Sequence, residues 1–282
     1  MRGILFMVAA TFLFAIMDVV SKLLAQSYPP VEVVAARYIV QAVLMLVILA
    51  PTQGMSMVRS HRPGLQIVRG ALLCISSLMF VAALAVMPIA EAAAIGSSAP
   101  LMVVLLSIPL LRERVGTPSR VAVGVGFLGA LIIIRPGAEI FTWAALLPLF
   151  SAICGATYQV LTRKVSGIDG TITSLFYPAM VGTVLLGCVV PFVWVTPQST
   201  LDALFMLCIG AAATGGHFLM IKSLTHAPAS IASSITYTQL IFSMISGYLI
   251  FGQFPDGWSL VGMAVVVFAG LFIASRHRGI RN

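Results

Sequence analysis

Apolar residues fill this chain in long runs, and the charged positions fall mostly between them. Ten stretches carry no Asp, Glu, Lys or Arg: Gly3 to Met17, Tyr38 to Val58, Gly70 to Ala90, Ala92 to Leu111, Val121 to Ile134, Ile140 to Thr162, Gly170 to Leu201, Ala203 to Ile221, Ser223 to Pro255 and Gly257 to Ser275. A bilayer core about 30 Å thick is crossed by roughly 20 helical residues, so each run is predicted to span it. The first and fifth runs are short and must borrow flanking residues. The first extends through Asp18 and Lys22 to about Leu24, and the fifth starts near Ser119 with Arg120 snorkelling to the interface. The predicted fold class is therefore all-α, a membrane protein of ten transmembrane helices. Connections such as "SYPP" and "VMPIAE" are short, and no soluble domain is expected. Whatever the chain does is expected to happen within the membrane.

Composition removes the soluble alternative. Hydrophobic residues make up 60% of the 282 positions and charged residues only 9%, with a mean hydropathy of +1.08. A soluble domain carries about a quarter charged residues. The net charge of +8 would suit nucleic acid, but the Lys and Arg residues form no compact basic arm. The bilayer is the expected partner, and nucleic acid is not. Cys74, Cys154, Cys188 and Cys208 lie inside apolar runs without C-x-x-C spacing, and are expected to be small buried residues. Met1-Arg2 followed by Gly3 to Met17 resembles a signal peptide, with "LLAQS" as a passable cleavage site. Retention is expected, because that segment is needed as the first span.

Basic residues orient the spans. With the N-terminus in the cytoplasm, Arg2, Arg59, Arg62, Arg69, Arg112, Arg114, Arg120, Arg163, Lys164, Lys222, Arg276, Arg278 and Arg281 fall inside. Only Lys22 and Arg135 fall outside, and Arg37 lies within a span. This bias predicts both termini in the cytoplasm of a bacterial inner membrane. Trp143, Trp194 and Trp258 each fall at a span end on the outer interface, where indole rings are favoured.

Shifting the sequence against itself by 140 to 141 residues brings similar features together. Pro88 meets Pro228, Lys22 meets Arg163, Ala15 meets Ala156, Val19 meets Val160 and Gly129 meets Gly270. Ten spans then divide into two units, 1–138 and 139–282. Because five is odd, the second unit enters the membrane from the opposite side, which makes an inverted repeat. Apolar helices of limited alphabet also resemble one another by chance, so this division is an expectation.

The segment "EAAAIGSSAPLMVVLLSIPLLRERVGTPSRVAVGVGFLGALIII" and its counterpart "ASIASSITYTQLIFSMISGYLIFGQFPDGWSLVGMAVVVFAGLFIA" resemble the two units of the drug/metabolite transporter superfamily, in its bacterial EamA branch. The specific features are Glu91 at the head of the fourth span, Pro100 within it, Arg112-Glu113-Arg114 at its end and a Gly-rich fifth span. The second unit departs from this pattern at Leu240, Gln253 and Ser230 or Ile231, so the acids have no symmetric counterparts. The resemblance implies export of amino acids or related metabolites through a central cavity lined by the third, fourth, eighth and ninth spans. Cationic drugs or nucleoside-type metabolites are alternative cargo.

Charges inside hydrocarbon cost about 2.5 to 3.5 kcal/mol on insertion scales, so each demands a partner or a wet cavity. Asp18 and Arg37 are the clearest cases. A hairpin turning near residues 27 and 28 sets them at one depth, which predicts an ion pair that is either structural or part of transport, with Lys22 as a competing partner one turn from Asp18. Tyr38 and Gln41 extend a polar stripe below Arg37. Candidate substrate contacts are Tyr38, Gln41, Ser76, Ser98, His217, Tyr237 and Gln239, in a set that also holds Ser77, Ser97, Thr214, Gly215, Gly216, Ser233 and Ser234, with packing as the alternative for its serines and glycines, Ser76 and Ser98 included. Glu91 follows Pro88 in a first turn, where capping or proton coupling are both open. Ala122, Gly126 and Ala130, with Gly262, Gly270 and Ala274, predict tightly packed faces on the fifth and tenth spans. Whether those faces meet within one chain or between chains is open, a monomer being favoured.

An intramembrane enzyme would need a nucleophile with its base or clustered metal ligands. His61, His217, His226 and His277 show no H-E-x-x-H spacing, and no G-x-S-x-G occurs. No enzyme, metal or cofactor is expected. A channel remains the rival to a carrier, although no filter-like loop or ring of like charges is apparent.

Overall fold

The computed structural model describes residues 2–112, 116–134, 143–226, 232 and 235–278, except for the side chains at 119, 270 and 273–278. Glu113, Arg114, Arg135, Pro228, Ser230, Ile231, Ser233, Ser234 and Arg281 lie outside this set. Among the described residues every regular element is helical: α1 (Arg2–Leu24), α2 (Pro30–Leu44), α3 (Pro63–Val86), α4 (Ile89–Gly96), α5 (Ala99–Leu111), α6 (Thr117–Ile134), α7 (Leu146–Val165), α8 (Thr171–Gly187), α9 (Thr200–His226), α10 (Thr238–Phe251) and α11 (Gly257–Arg278). A π-helical turn at Met45–Leu49 and two short turns carry the second span on to Met57. Seven stretches of the described residues are long and apolar enough to cross a membrane, and three shorter apolar helices, Arg120–Ile134, Thr238–Phe251 and Gly257–Ala269, complete the ten.

Several helices do not keep to the charge-free runs, and two of these departures have a clear local reason. The second span starts at Pro30 rather than Tyr38, and so includes Glu32 and Arg37. Both find partners there, Glu32 accepting the Val195 N–H at 3.0 Å and Arg37 reaching Ser77. A charge with a partner does not interrupt a helix. The fourth span breaks into α4 and α5 at Ser97 and Ser98. Pro100 has no N–H for the carbonyl four residues earlier, and its ring disfavours continuation through that point.

The packing maps onto itself when the first five spans are exchanged with the last five. α1 lies on α9 as α7 lies on α3; α2 lies on α9 as α8 lies on α3; α10 lies on α1 as α5 lies on α7. Three further pairs, α6 with α11, α2 with α8 and α4 with α10, exchange into themselves. This is the contact pattern of a pseudo-twofold repeat.

The fifth and tenth spans meet each other within the chain, at Gly129 and Gly262; of the expected face, Gly126 lies first against Leu101 of α5 and then against Ala269, and the side chains at 270 and 274 lie outside the described set. A Cβ on Gly129 would sit 2.9 Å from the Gly262 carbonyl, and one on Gly262 would sit 2.7 Å from the Gly129 carbonyl. Only hydrogen fits between these two backbones. All four cysteines are free, but the expectation that all are buried holds for Cys74 and Cys154 alone; Cys188 is exposed and Cys208 partly so. A thiol on a lipid-facing surface costs little, so an apolar run need not bury it. Trp143, Trp194 and Trp258 are exposed at span ends.

Candidate functional site

A cavity of about 190 Å³ lies where helices of both halves converge. The expected third, fourth, eighth and ninth spans contribute to its wall, and so do the first, second and sixth. The break between α4 and α5 opens onto it through Gly96, Ser97 and Pro100. Irregular backbone at membrane depth is tolerated where it lines a cavity.

Asp18 and Arg37 both face this space, but they do not pair. Asp18 Oδ2 accepts a hydrogen bond of 2.7 Å from the Gln239 amide on α10. Arg37 Nη2 donates at 2.7 Å to Ser77 Oγ on α3, and its guanidinium lies 4.4 Å from the centre of the Tyr38 ring. Ser77 in turn is fixed by donating to the Leu73 carbonyl at 2.7 Å. His61 and Asp169 lie 3.2 Å apart, whereas Asp18 and Arg37 form no such contact. Hairpin arithmetic sets depth and not azimuth. The two side chains point to different neighbours, with the cavity between those neighbours. Lys22 is not Asp18's partner either, since its ammonium goes to the backbone carbonyls of Leu84 and Met87.

The other candidates divide. Ser76, His217 and Gln239 line the cavity. Ser76 and Ser151 each donate to the other's backbone carbonyl, at 2.9 and 2.8 Å, clasping α3 to α7. The His217 ring packs 4.9 Å from Phe14 and edge-on to Tyr158 at 6.1 Å. Tyr38, Gln41, Ser98 and Tyr237 are buried but do not line the cavity. Tyr38 lies instead against α8 at Gly182, where a Cβ would come within 2.5 Å of its ring. Ser97, rather than Ser98, lines the cavity, whereas Ser98 is fully buried beside it. Glu91 is half-buried in the first turn of α4, away from the cavity wall.

Tyr158 and Gln159 of α7 line the cavity and are absent from the candidates that the sequence suggests. A signal for Gln159 is present. The offset of 141 that sets Val160 on Val19 sets Gln159 on Asp18, so the repeat places two polar side chains on equivalent faces of α1 and α7.

A second polar cluster ties the start of α3 to the corner between α7 and α8. The Asp169 carboxylate accepts from Ser60 Oγ, from the Gln66 amide at 2.8 Å and from the His61 N–H at 2.9 Å. Burial by itself would raise its pKa, but these hydrogen bonds outweigh burial and hold it at about 2. The folded value lies below the unfolded one, so the stability Asp169 contributes is complete above roughly pH 4 and is lost as pH falls towards 2. Nearby, Arg69 is fully buried, bonded to Thr162 at 2.8 Å and to Gln66.

Comparison with known proteins agrees with this architecture. A solved crystal structure superposes with a TM-score of 0.70 at 17% identity, covering 97% of this chain and 99% of the other, which shows the fold. The chain is 27% identical to an S-adenosylmethionine uptake transporter of Rickettsia conorii, over 94% of this chain and 90% of the relative. It is 28% identical to a riboflavin transporter of Vibrio cholerae, over 97% and 93% of the two chains. It is 26% identical to the pseudopaline exporter CntI of Pseudomonas aeruginosa, over 98% and 97%. The model of the EamA-like transporter family matches residues 1–135 and again residues 142–276. With nearly the whole chain matched in two successive copies, this multi-pass membrane protein belongs to the EamA-like transporter family and is a transporter rather than an enzyme.

Proposed function

We propose that this chain exports a small zwitterionic metabolite, an amino acid or a close relative of one, by alternating access between two inverted units, 1–138 and 139–282. The observation that carries this reading is the pair of opposite charges facing one small cavity without bonding each other. Asp18 can receive an α-ammonium group and Arg37 an α-carboxylate, each by a charge-assisted hydrogen bond. Size agrees: about 190 Å³ is below the 300 to 1,000 Å³ usual for drug-sized ligands. His217, Gln239 and Gln159 supply further polar contacts, and Ser76 shapes the wall. Tyr38, Gln41, Ser98 and Tyr237 act one layer behind, holding the helices that present the site. The names of the relatives include both uptake and export, so outward direction is part of the proposal.

Flux into proteoliposomes tests the reading. A panel of labelled amino acids, nucleosides and cationic drugs, with and without a pH gradient, is expected to show saturable amino-acid uptake with counterflow. Saturable flux of nucleosides or cationic drugs alone would overturn the zwitterion assignment. Flux that never saturates would indicate a channel, and none at all would end the carrier reading. Dependence on the pH gradient would identify proton coupling, for which Asp18 and Glu91 are the candidates.

Within the bacterial inner membrane both termini are placed in the cytoplasm. The Lys and Arg bias and the exposed Trp143, Trp194 and Trp258 at the opposite span ends support this. Gln53 and Gln198 are both exposed, at opposite span ends in this topology. In a cysteine-free background, Gln198→Cys is expected to react with an impermeant maleimide on intact cells, and Gln53→Cys to be protected. The reverse pattern would invert the topology.

A further inference from the structure

A carrier of the kind proposed above needs two groups of helices that part at one end of the cavity while they close at the other. The packing supplies such groups. α1 lies on α9 and α10, whereas α7 lies on α3 and α5, and residues of all six helices line the cavity. One cation crosses from group to group at each end.

Lys22 of α1 is 5% exposed, and its ammonium donates to the carbonyls of Leu84 at 3.0 Å and Met87 at 2.7 Å, where α3 ends. The Phe251 ring of α10 covers it, with the ring centre 5.4 Å away. Arg163 of α7 donates from Nη1 to the Leu224 carbonyl in the last turns of α9, at 2.7 Å. These two contacts lie at opposite ends of the bundle. α3 and α7 run antiparallel, Ser76 bonding Ser151 and Arg69 bonding Thr162. Lys22 therefore grips the C-terminal end of α3, while Arg163, adjacent to Thr162, sits beside the N-terminal half of α3. The repeat relates them as well: an offset of 141 carries Lys22 to Arg163, and an offset of 140 carries Leu84 to Leu224.

The chemistry of the two contacts is the same. The last carbonyls of a helix have no intrahelical donor and sit at the negative end of its dipole, so a cation there is bound twice over. Lys22 is shut off from water until its own end of the cavity opens, while Arg163, half-buried, holds its end by the same contact from nearer the surface. We propose that Lys22 and Arg163 are a pseudo-symmetric pair of gate residues, each holding one end of the cavity closed across the seam between the helix groups and each released when that end opens.

The test is the accessibility of the cavity from its two ends. Ala99 lines the cavity and takes no part in the polar contacts described. In a background lacking the four native cysteines, Ala99→Cys is labelled with an impermeant maleimide in right-side-out and in inverted vesicles. Lys22→Met is expected to raise the ratio of labelling from the Lys22 end to labelling from the Arg163 end by about tenfold, the effect of losing hydrogen bonds to a charged group. Arg163→Met is expected to lower the same ratio by a similar factor. Lys22→Arg, which keeps donors at that point, should leave the ratio at the parental value. If either Met variant yields no folded protein, Lys22→Gln and Arg163→Gln remove the charge while retaining a polar group. Shifts in the same direction, or an unchanged ratio in folded protein, would overturn the proposal. Labelling requires no substrate, so an unchanged ratio beside saturable flux refutes only the gates. Opposite shifts without flux of any tested solute refute only the substrate reading.

Discussion

Asp18→Asn and Arg37→Met are each expected to lower amino-acid flux by about 10- to 100-fold, the factor corresponding to one hydrogen bond to a charged group. Folded yield should remain near that of the parent protein. An asparagine in place of Asp18 can still accept the Gln239 amide bond, and a methionine in place of Arg37 fills much of the volume of that side chain without placing a charge in the membrane interior. The distinguishing measurement is the double variant. Were the two residues a structural ion pair, neutralising both would restore what either single change costs. Here each has its own partner, Asp18 on α10 and Arg37 on α3, so the double variant should transport no better than the worse single one. Recovery of flux in proteoliposomes would show that the charges serve each other rather than the substrate.

The second large effect is expected at the crossing of α6 and α11. Gly262→Ala should lower stability by roughly 1 to 3 kcal/mol, the range seen when a packed contact is overfilled, and Gly262→Val by more. The added Cβ would lie 2.7 Å from the Gly129 carbonyl and 2.6 Å from Ile133 Cγ1. Ile133 Cγ1 is held by the stiff χ1 of a β-branched residue, and the carbonyl belongs to the α6 backbone, so the two helices must separate and lose their contact over several turns. Gly124 provides the control, because nothing lies within 4 Å of a Cβ added there. Gly124→Ala should be neutral or slightly stabilising, as Ala favours a helix over Gly by about 1 kcal/mol. Thermal unfolding in detergent measures both. Equal melting temperatures for Gly262→Ala and the parent would mean that the close crossing contributes nothing.

Both predictions turn on features that differ in how far the chain itself discloses them. The tight face on the fifth and tenth spans is visible as Gly126, Ala130 and Gly262 among other small residues, but nothing in that spacing says which helix is met. The fold makes the pairing intrachain, α6 lying on α11. Asp18 and Arg37 are visible as charges that hydrocarbon will not tolerate alone. Their separate partners are not, because a residue count along a hairpin sets height in the membrane and leaves the direction of each side chain open.

The all-helical class, the ten spans and the residues whose polarity requires an explanation are legible in the chain alone, because the cost of polar groups in lipid is incurred residue by residue. The chain also carries the repeat, and with it the correspondence of Lys22 with Arg163 and of Asp18 with Gln159. Which of the polar residues meet depends on how the helices pack. The π-helical turn at Met45–Leu49 and the break at Ser97 and Ser98 each rotate the helix that follows, so a stripe drawn with one helical period loses its phase. At the break itself Ser97 reaches the cavity and Ser98 does not. Tyr38, one position from Arg37, turns away to pack on Gly182 because α8 stands on that side of α2. Depth in the membrane is a property of position along one helix. Direction depends on where every other helix stands.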